Sequence, residues 1–179
     1  MAKVNPGKRF EREFKKSMDA VGYAMRIPDK CFLSPSGRLL SEPSEGDFLF
    51  FAENGHAYLV ECKATGQKRF PFDNLRQEQV AGLERFDEIS DMCHGLIALN
   101  FYGASVRSKN ELYLVGISDF KRHKAASLRK SLSEGEAEAI GYKCERKGGI
   151  WGLPLQERFP WARKFTDDTD SARSTSLPA

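Results

Sequence analysis

The chain has 179 residues, 40% of them hydrophobic, the size of one globular domain with a modest core. It contains no apolar run near the length of about 18 residues that a membrane-spanning helix needs, and "MAKVNPGKRFEREFKK" has charge where a secretory leader has an apolar stretch. The four cysteines, at 31, 62, 93 and 144, have no C-x-x-C spacing, which argues against a zinc site and for free thiols in a reducing cytoplasm. The formal net charge of +3 does not by itself call for nucleic acid, but the basic residues cluster. "KRHKAASLRK" at 121–130 holds five Lys or Arg and no acid, and "GKRFEREFKK" and "QKRF" are further clusters. Such clusters are either footprints for phosphates or solvated helix faces.

In chain order, residues 7–21 read as a helix with Phe10, Phe14, Met18 and Val21 near one face, ended by Gly22. "YAMRI" reads as a short strand. Residues 28–45, "PDKCFLSPSGRLLSEPSE", are rich in Pro, Ser and Gly and read as a long excursion. Asp47 to Ala52 is a strand apolar enough to be buried on both faces. Asn54-Gly55 is a hairpin-turn signal, and Ala57 to Lys63 is the returning strand. From Asn74 an amphipathic helix follows, with Leu75, Leu83, Phe86 and Ile89 inward. "HGLIALNF" and "ELYLVGI" are two more strands, and 118–130 is a basic helical region. The pattern predicts one α/β domain over residues 1–160, a central sheet flanked by helices, with 161–179 as a flexible tail.

The hairpin carries three charges that a buried sheet does not explain. Side chains alternate along a strand, so Leu59, Glu61 and Lys63 share one face and Tyr58, Val60 and Cys62 the other. Asp47 begins the neighbouring strand, so two carboxylates and a lysine converge at one end of the sheet. Glu61 and Lys63 alone make an ordinary edge ion pair; Asp47 has no place in that pair. Converging carboxylates repel unless a cation neutralises them, and oxygen ligands suit a hard divalent ion such as Mg²⁺. Lys63 beside such an ion orients or helps deprotonate the attacking water, or stabilises charge on a phosphoryl oxygen. Asp-x₁₃-Glu-x-Lys with a hairpin between is therefore an ingredient list for metal-dependent phosphodiester hydrolysis. Glu11 sits on the inward stripe of the first helix and reads either as a helper at the site, bound to metal or behind it, or as a solvated helix-start carboxylate. Gln79 sits on the inward stripe of the later helix and needs a partner there, either a backbone group or the attacking water.

"GDFLFF…HAYLVECK" resembles the PD-(D/E)xK nuclease signature, and "KRFPFDNLRQEQ" resembles the segment that follows it in RecU-type Holliday junction resolvases. "GKRFEREFKK" resembles that family's opening helix, with its acidic residue at Glu11. The resemblance covers roughly 7–116. It implies a restriction-endonuclease-like fold and a homodimer making paired cuts in four-way DNA junctions with Mg²⁺, Mn²⁺ substituting. Asp47 and Glu61 would bind metal, Glu11 joining or assisting, with Lys63 acting on the water and Gln79 helping. The excursion at 28–45 stands where the family projects a stalk into the junction centre. Lys30, Arg38, Lys68 and Arg69 are the candidate DNA contacts there. Phe32, Leu33, Leu39 and Leu40 either wedge against unstacked bases or bury against a second subunit. The chain departs from the family at Gly46, where a hydroxyl residue is usual, at Glu78, where His is common, and in a shorter stalk and N-terminal arm. The expected setting is a bacterial cytoplasm, the source cellular or phage. The rival readings are a restriction or repair endonuclease of the same fold and a non-catalytic DNA-binding module.

Overall fold

The computed structural model describes residues 5–42, 44–103 and 110–154, the side chain of Lys30 excepted. The proposed tail at 161–179 lies outside the described residues. The first element is helix α1 (Pro6–Asp19), capped by Asn5, whose side chain accepts from Gly7 N at 2.9 Å. Strand β1 (Gly22–Arg26) follows, then a separate hairpin of β2 (Lys30–Leu33) and β3 (Leu39–Glu42). Strands β4 (Phe48–Ala52) and β5 (Ala57–Thr65) form the expected hairpin, with Gly55 at φ 86° in its turn. After β6 (Arg69–Pro71) and a 3₁₀ turn at Phe72–Asn74 comes α2 (Gln77–Asp87). The chain continues through β7 (Cys93–Tyr102), β8 (Asn110–Gly116), α3 (Ile117–Ala126), β9 (Ser131–Ser133) and α4 (Glu134–Ile140). Strands β10 (Gly141–Cys144), β11 (Arg146–Lys147) and β12 (Ile150–Trp151) complete it.

One mixed sheet of six strands, in the order β1-β4-β5-β7-β8-β10, forms the centre. Only β5 and β7 pair in parallel, and α2 lies in the connection between them, as a parallel crossover requires. The alternation read along β5 separates two cores. Tyr58, Val60 and Cys62 pack with Phe10, Phe14 and Met18 of α1. Leu59 packs on the other side with Leu83 of α2 and Ile117 and Phe120 of α3. Helices therefore flank both faces, and Glu61 and Lys63, in phase with Leu59, face α2.

Close approach of α2 to the sheet is bought with glycine. A Cβ at Gly95 on β7 would lie 2.3 Å from the carbonyl oxygen of Leu83, and one at Gly82 would lie 2.4 Å from Cβ of Glu45. Gly46 is constrained too, since a Cβ there would meet Leu59 Cδ1 at 2.9 Å. Gly46 is thus fitted to the tight pairing beside Asp47.

Several expectations are corrected. β4 is not buried on both faces: Phe51 is 44% exposed, because among the described residues no helix covers the β1 edge on the α2 side. Ile89 is 67% exposed, since α2 ends at Asp87 before the inward stripe reaches it. The basic helix stops at Ala126, and 127–130 is not helical. Residues 131–154, for which no elements were expected, supply an edge strand, a short helix and a small hairpin. Trp151 and Leu153 of that segment are buried in the α1-side core, and Trp151 N donates to Ser17 Oγ at 2.9 Å.

Candidate active site

Strand β5 outruns β4, and that mismatch fixes Asp47. The β4–β5 register pairs Phe48 with Val60, and Asp47 N still donates to Val60 O at 2.8 Å, so Asp47 stands opposite Glu61. Beyond Asp47 the chain leaves the sheet, and Cys62 N donates instead to the Asp47 carboxylate, at 2.8 Å to Oδ2. The side chain completes a ladder position that the backbone has vacated. On the other flank Ile27 N donates to Asp47 O at 2.9 Å, tying the end of β1 to the same residue.

Glu61 is 2% exposed, and its Oε1 accepts from Lys63 Nζ at 2.8 Å and from Gln79 Nε2 at 2.5 Å. Gln79 Oε1 accepts in turn from Lys63 Nζ at 3.1 Å and from Arg76 N at 3.2 Å. One buried amide thus clasps both charged residues of β5 and anchors itself to the start of α2. The sequence left open a backbone partner or the attacking water for Gln79; the structure shows a backbone partner together with Glu61 and Lys63. Two of the three N–H donors of Lys63 are engaged in this clasp.

Charge and burial pull against each other here. Burial, then repulsion from Asp47, raises the Glu61 carboxyl to about 7, against the attraction of Lys63. Burial also raises Asp47, opposed by the Cys62 N–H and by Lys63 and Arg26. Glu61 Oε2 is buried without any hydrogen-bond partner. A buried anionic oxygen lacking a partner is costly, and a second carboxylate beside it adds to the cost. The donor set, two carboxylates with one orphaned oxygen, therefore fits a hard divalent cation.

Glu11 reaches the neighbourhood but not the pair. It accepts from Arg26 Nη2 at 3.3 Å, and burial followed by the charge of Asp47 raises its carboxyl. Among the described residues no three His, Cys, Asp or Glu side chains come together as a metal-ligating set.

The candidate DNA contacts separate into different surroundings. Arg69 is committed to the protein: its guanidinium donates to Ser131 Oγ at 2.8 Å, Ser131 O at 2.6 Å and Glu136 Oε2 at 2.7 Å. Lys68 is exposed just after β5, and Arg38 is exposed in the turn between β2 and β3. Lys30 lies on β2, its side chain outside the described residues. Exposed Arg76, whose charge acts on Glu61, was missed by the sequence reading; its place one residue before α2, on the way to Gln79, was the available signal.

No family model matches the sequence, and no curated protein sequence matches it. Among solved structures, the fold is similar to that of Hjc, a Holliday junction resolvase from Archaeoglobus fulgidus determined at 1.6 Å resolution. The TM-score is 0.48 and the identity 19%, over 76% of this chain and 95% of that one. What bears on chemistry is the local arrangement of Asp47, Glu61, Lys63 and Gln79.

The raised Glu61 carboxyl makes metal-free stability depend on pH. Below the ordinary carboxylate value both folded and unfolded chains hold the proton and the group contributes nothing. As pH rises toward about 7 the unfolded chain ionises first, so folded stability falls. Glu61→Gln removes this titration. In chelator-treated samples, chemical denaturation should show the variant gaining about 2–3 kcal/mol relative to wild type between pH 5 and pH 8. Millimolar Mg²⁺ should shrink that gain by stabilising the ionised wild-type site. A difference that does not vary with pH contradicts the assignment.

Proposed function

We propose that the protein is a Mg²⁺-dependent endodeoxyribonuclease that resolves four-way DNA junctions by paired phosphodiester hydrolysis as a homodimer. The observation that carries the hydrolytic part is the convergence of Asp47, Glu61 and Lys63, with an orphaned carboxylate oxygen aimed at no protein donor. Asp47 and Glu61 are the residues that would hold the ion, Mg²⁺ or Mn²⁺. When bound, it supplies a Lewis acid that polarises a phosphoryl oxygen and makes water a stronger acid. The chain's own residues do the rest. Gln79 keeps Glu61 and Lys63 in register through one rigid amide. Lys63 turns its remaining N–H toward the phosphoryl oxygen or the attacking water, where a fixed positive charge stabilises the transition state. Arg76 approaches from the start of α2 as a further phosphate contact.

Selectivity for four-way DNA is assigned to the β2–β3 arm. Its cross-strand pairs are Phe32 with Leu40 and Leu33 with Leu39, and all four side chains are at least 42% exposed. A junction differs from duplex in shape rather than in base edges, so an apolar projection that fits between unstacked bases is a suitable reader. Arg38 at its tip adds a phosphate contact. This is the reading of the RecU-type resemblance carried onto an arm that has no place in either core.

The hydrolytic claim is tested by cleavage of a synthetic four-way junction in Mg²⁺. Wild type should cut, excess EDTA should stop it, and Lys63→Ala should slow single-turnover cleavage by about 100-fold or more, as loss of one positioned electrostatic group does. Activity in EDTA, or a Lys63→Ala rate near that of wild type, overturns it. The arm is tested separately by replacing residues 32–42 with a Gly-Ser turn. The variant should stay dimeric and keep its chemistry while losing preference for junction over linear duplex of equal sequence. A monomeric variant, or one with full junction preference, contradicts the assignment.

A further inference from the structure

Beside the carboxylates, an open groove of about 390 Å³ runs between α1 and β1. Lys8, Arg12, Lys15 and Glu11 line one wall, with Arg26 and Phe48 across from them. Spacings of four and three residues put Lys8, Arg12 and Lys15 on one face of α1, over about 10 Å of helix. Four cations stand against one carboxylate, an excess equal to the formal net charge of the entire chain, +3.

The groove is joined to the site by the pairing of β1 with β4. Arg26 pairs across the sheet with Phe48, the residue after Asp47, and the next residue, Ile27, donates its N–H to Asp47 O. The cation partners in the groove are few: Lys15 pairs with Asp19 at 2.8 Å and Arg26 with Glu11 at 3.3 Å, both between exposed or half-exposed groups. Pairs of this kind are weak and exchange readily for a phosphate. A single buried anion would need a closed pocket with convergent donors. This groove is open and its cations stand in a row, the form that suits a polyanionic strand.

We infer that the groove between α1 and β1 seats the sugar-phosphate backbone of the cut strand to one side of the scissile phosphate, with Lys8, Arg12 and Lys15 contacting successive phosphates. This rests on the nuclease reading and adds the path of the strand. At an axial rise of about 3.4 Å per phosphate in each strand, a 10 Å row faces two to three of them. Arg26 stands where the groove meets the carboxylates, so an arriving phosphate that draws it from Glu11 couples strand seating to the state of the metal site. The strand therefore passes over α1, whose basic run GKRFEREFKK the sequence left open between a phosphate footprint and a solvated helix face.

The test is equilibrium binding of a labelled four-way junction across a salt series, with Ca²⁺ in place of Mg²⁺ so that no strand is cut. Lys8→Ala/Lys15→Ala should lose at least tenfold in affinity at about 0.1 M salt, and its salt slope should fall by about 2, the value for two lost phosphate contacts. Arg129→Ala/Lys130→Ala, which removes the same charge from the far basic run, should match wild type. Melting curves of both variants should match wild type, since every side chain changed is at the surface. A Lys8→Ala/Lys15→Ala slope equal to wild type, or an equal loss in the Arg129→Ala/Lys130→Ala control, overturns the inference while leaving the nuclease reading intact if wild type cuts. Wild type that neither binds nor cuts DNA overturns both.

Discussion

A carboxylate buried where the sheet meets α2 sets the terms for the rest of the site. Glu61 is almost wholly removed from water, and its own side chain offers two oxygens to be satisfied. Gln79 and Lys63 satisfy one, and the other is left without a donor. For Gln79 to reach Glu61, α2 must lie close against the sheet, and Gly95 on β7 carries no Cβ to hold it off, while Gly82 makes room for Glu45 in the segment before β4. For the Asp47 carboxylate to meet Cys62 N, β4 must begin only at Phe48, so that no backbone carbonyl fills that ladder position. The tight helix, the late start of β4 and Gly95 thus belong to one arrangement, which leaves Glu61 Oε2 without a hydrogen-bond partner and under the charge of Asp47.

Such a site is unfavourable as an isolated structure. Replacing a buried ionised cluster by apolar residues is often neutral or stabilising. Its retention in a domain of this size is understandable if a ligand repays the cost, because a cation that binds only the folded, ionised form stabilises it by mass action. The same arrangement accounts for the division of labour between the amide and the lysine. Gln79 has no ionisable proton and serves as a fixed brace, while Lys63, 19% exposed at its side chain, retains a donor and access to solvent.

The chain order of the central elements was legible because each had a local signal. Period-two alternation placed Glu61 and Lys63 on one face of β5, Asn54-Gly55 placed the turn, and a polar residue on an inward stripe marked Gln79. The same logic failed where burial depends on what lies across from a residue. Phe51 is as apolar as Phe50, yet among the described residues no helix covers its side of the β1 edge. Arg69 carries the same charge as Lys68 but is tied to Ser131 and Glu136, more than sixty positions away, a contact no local pattern encodes. The elements of 131–154 are short and split by turns. Their signals were Trp151 and the Gly148-Gly149 pair, whose φ values of 58° and 84° make the turn before β12. The groove on α1 is of the same kind: the helix periodicity showed its inward stripe, but only the sheet shows that Lys8, Arg12 and Lys15 stand over the end of β1.

The central claim is that Asp47 and Glu61 hold a divalent ion. Its most direct test needs no DNA: calorimetric or electron paramagnetic titration of the metal-free protein with Mn²⁺, alone and against Asp47→Ala. Binding to wild type should be saturable at millimolar concentration or below, weaken as pH falls below about 7 where Glu61 takes up its proton, and be lost in Asp47→Ala. Wild type that takes up no Mn²⁺ in this range, or an Asp47→Ala variant that binds it as tightly as wild type, would contradict the account.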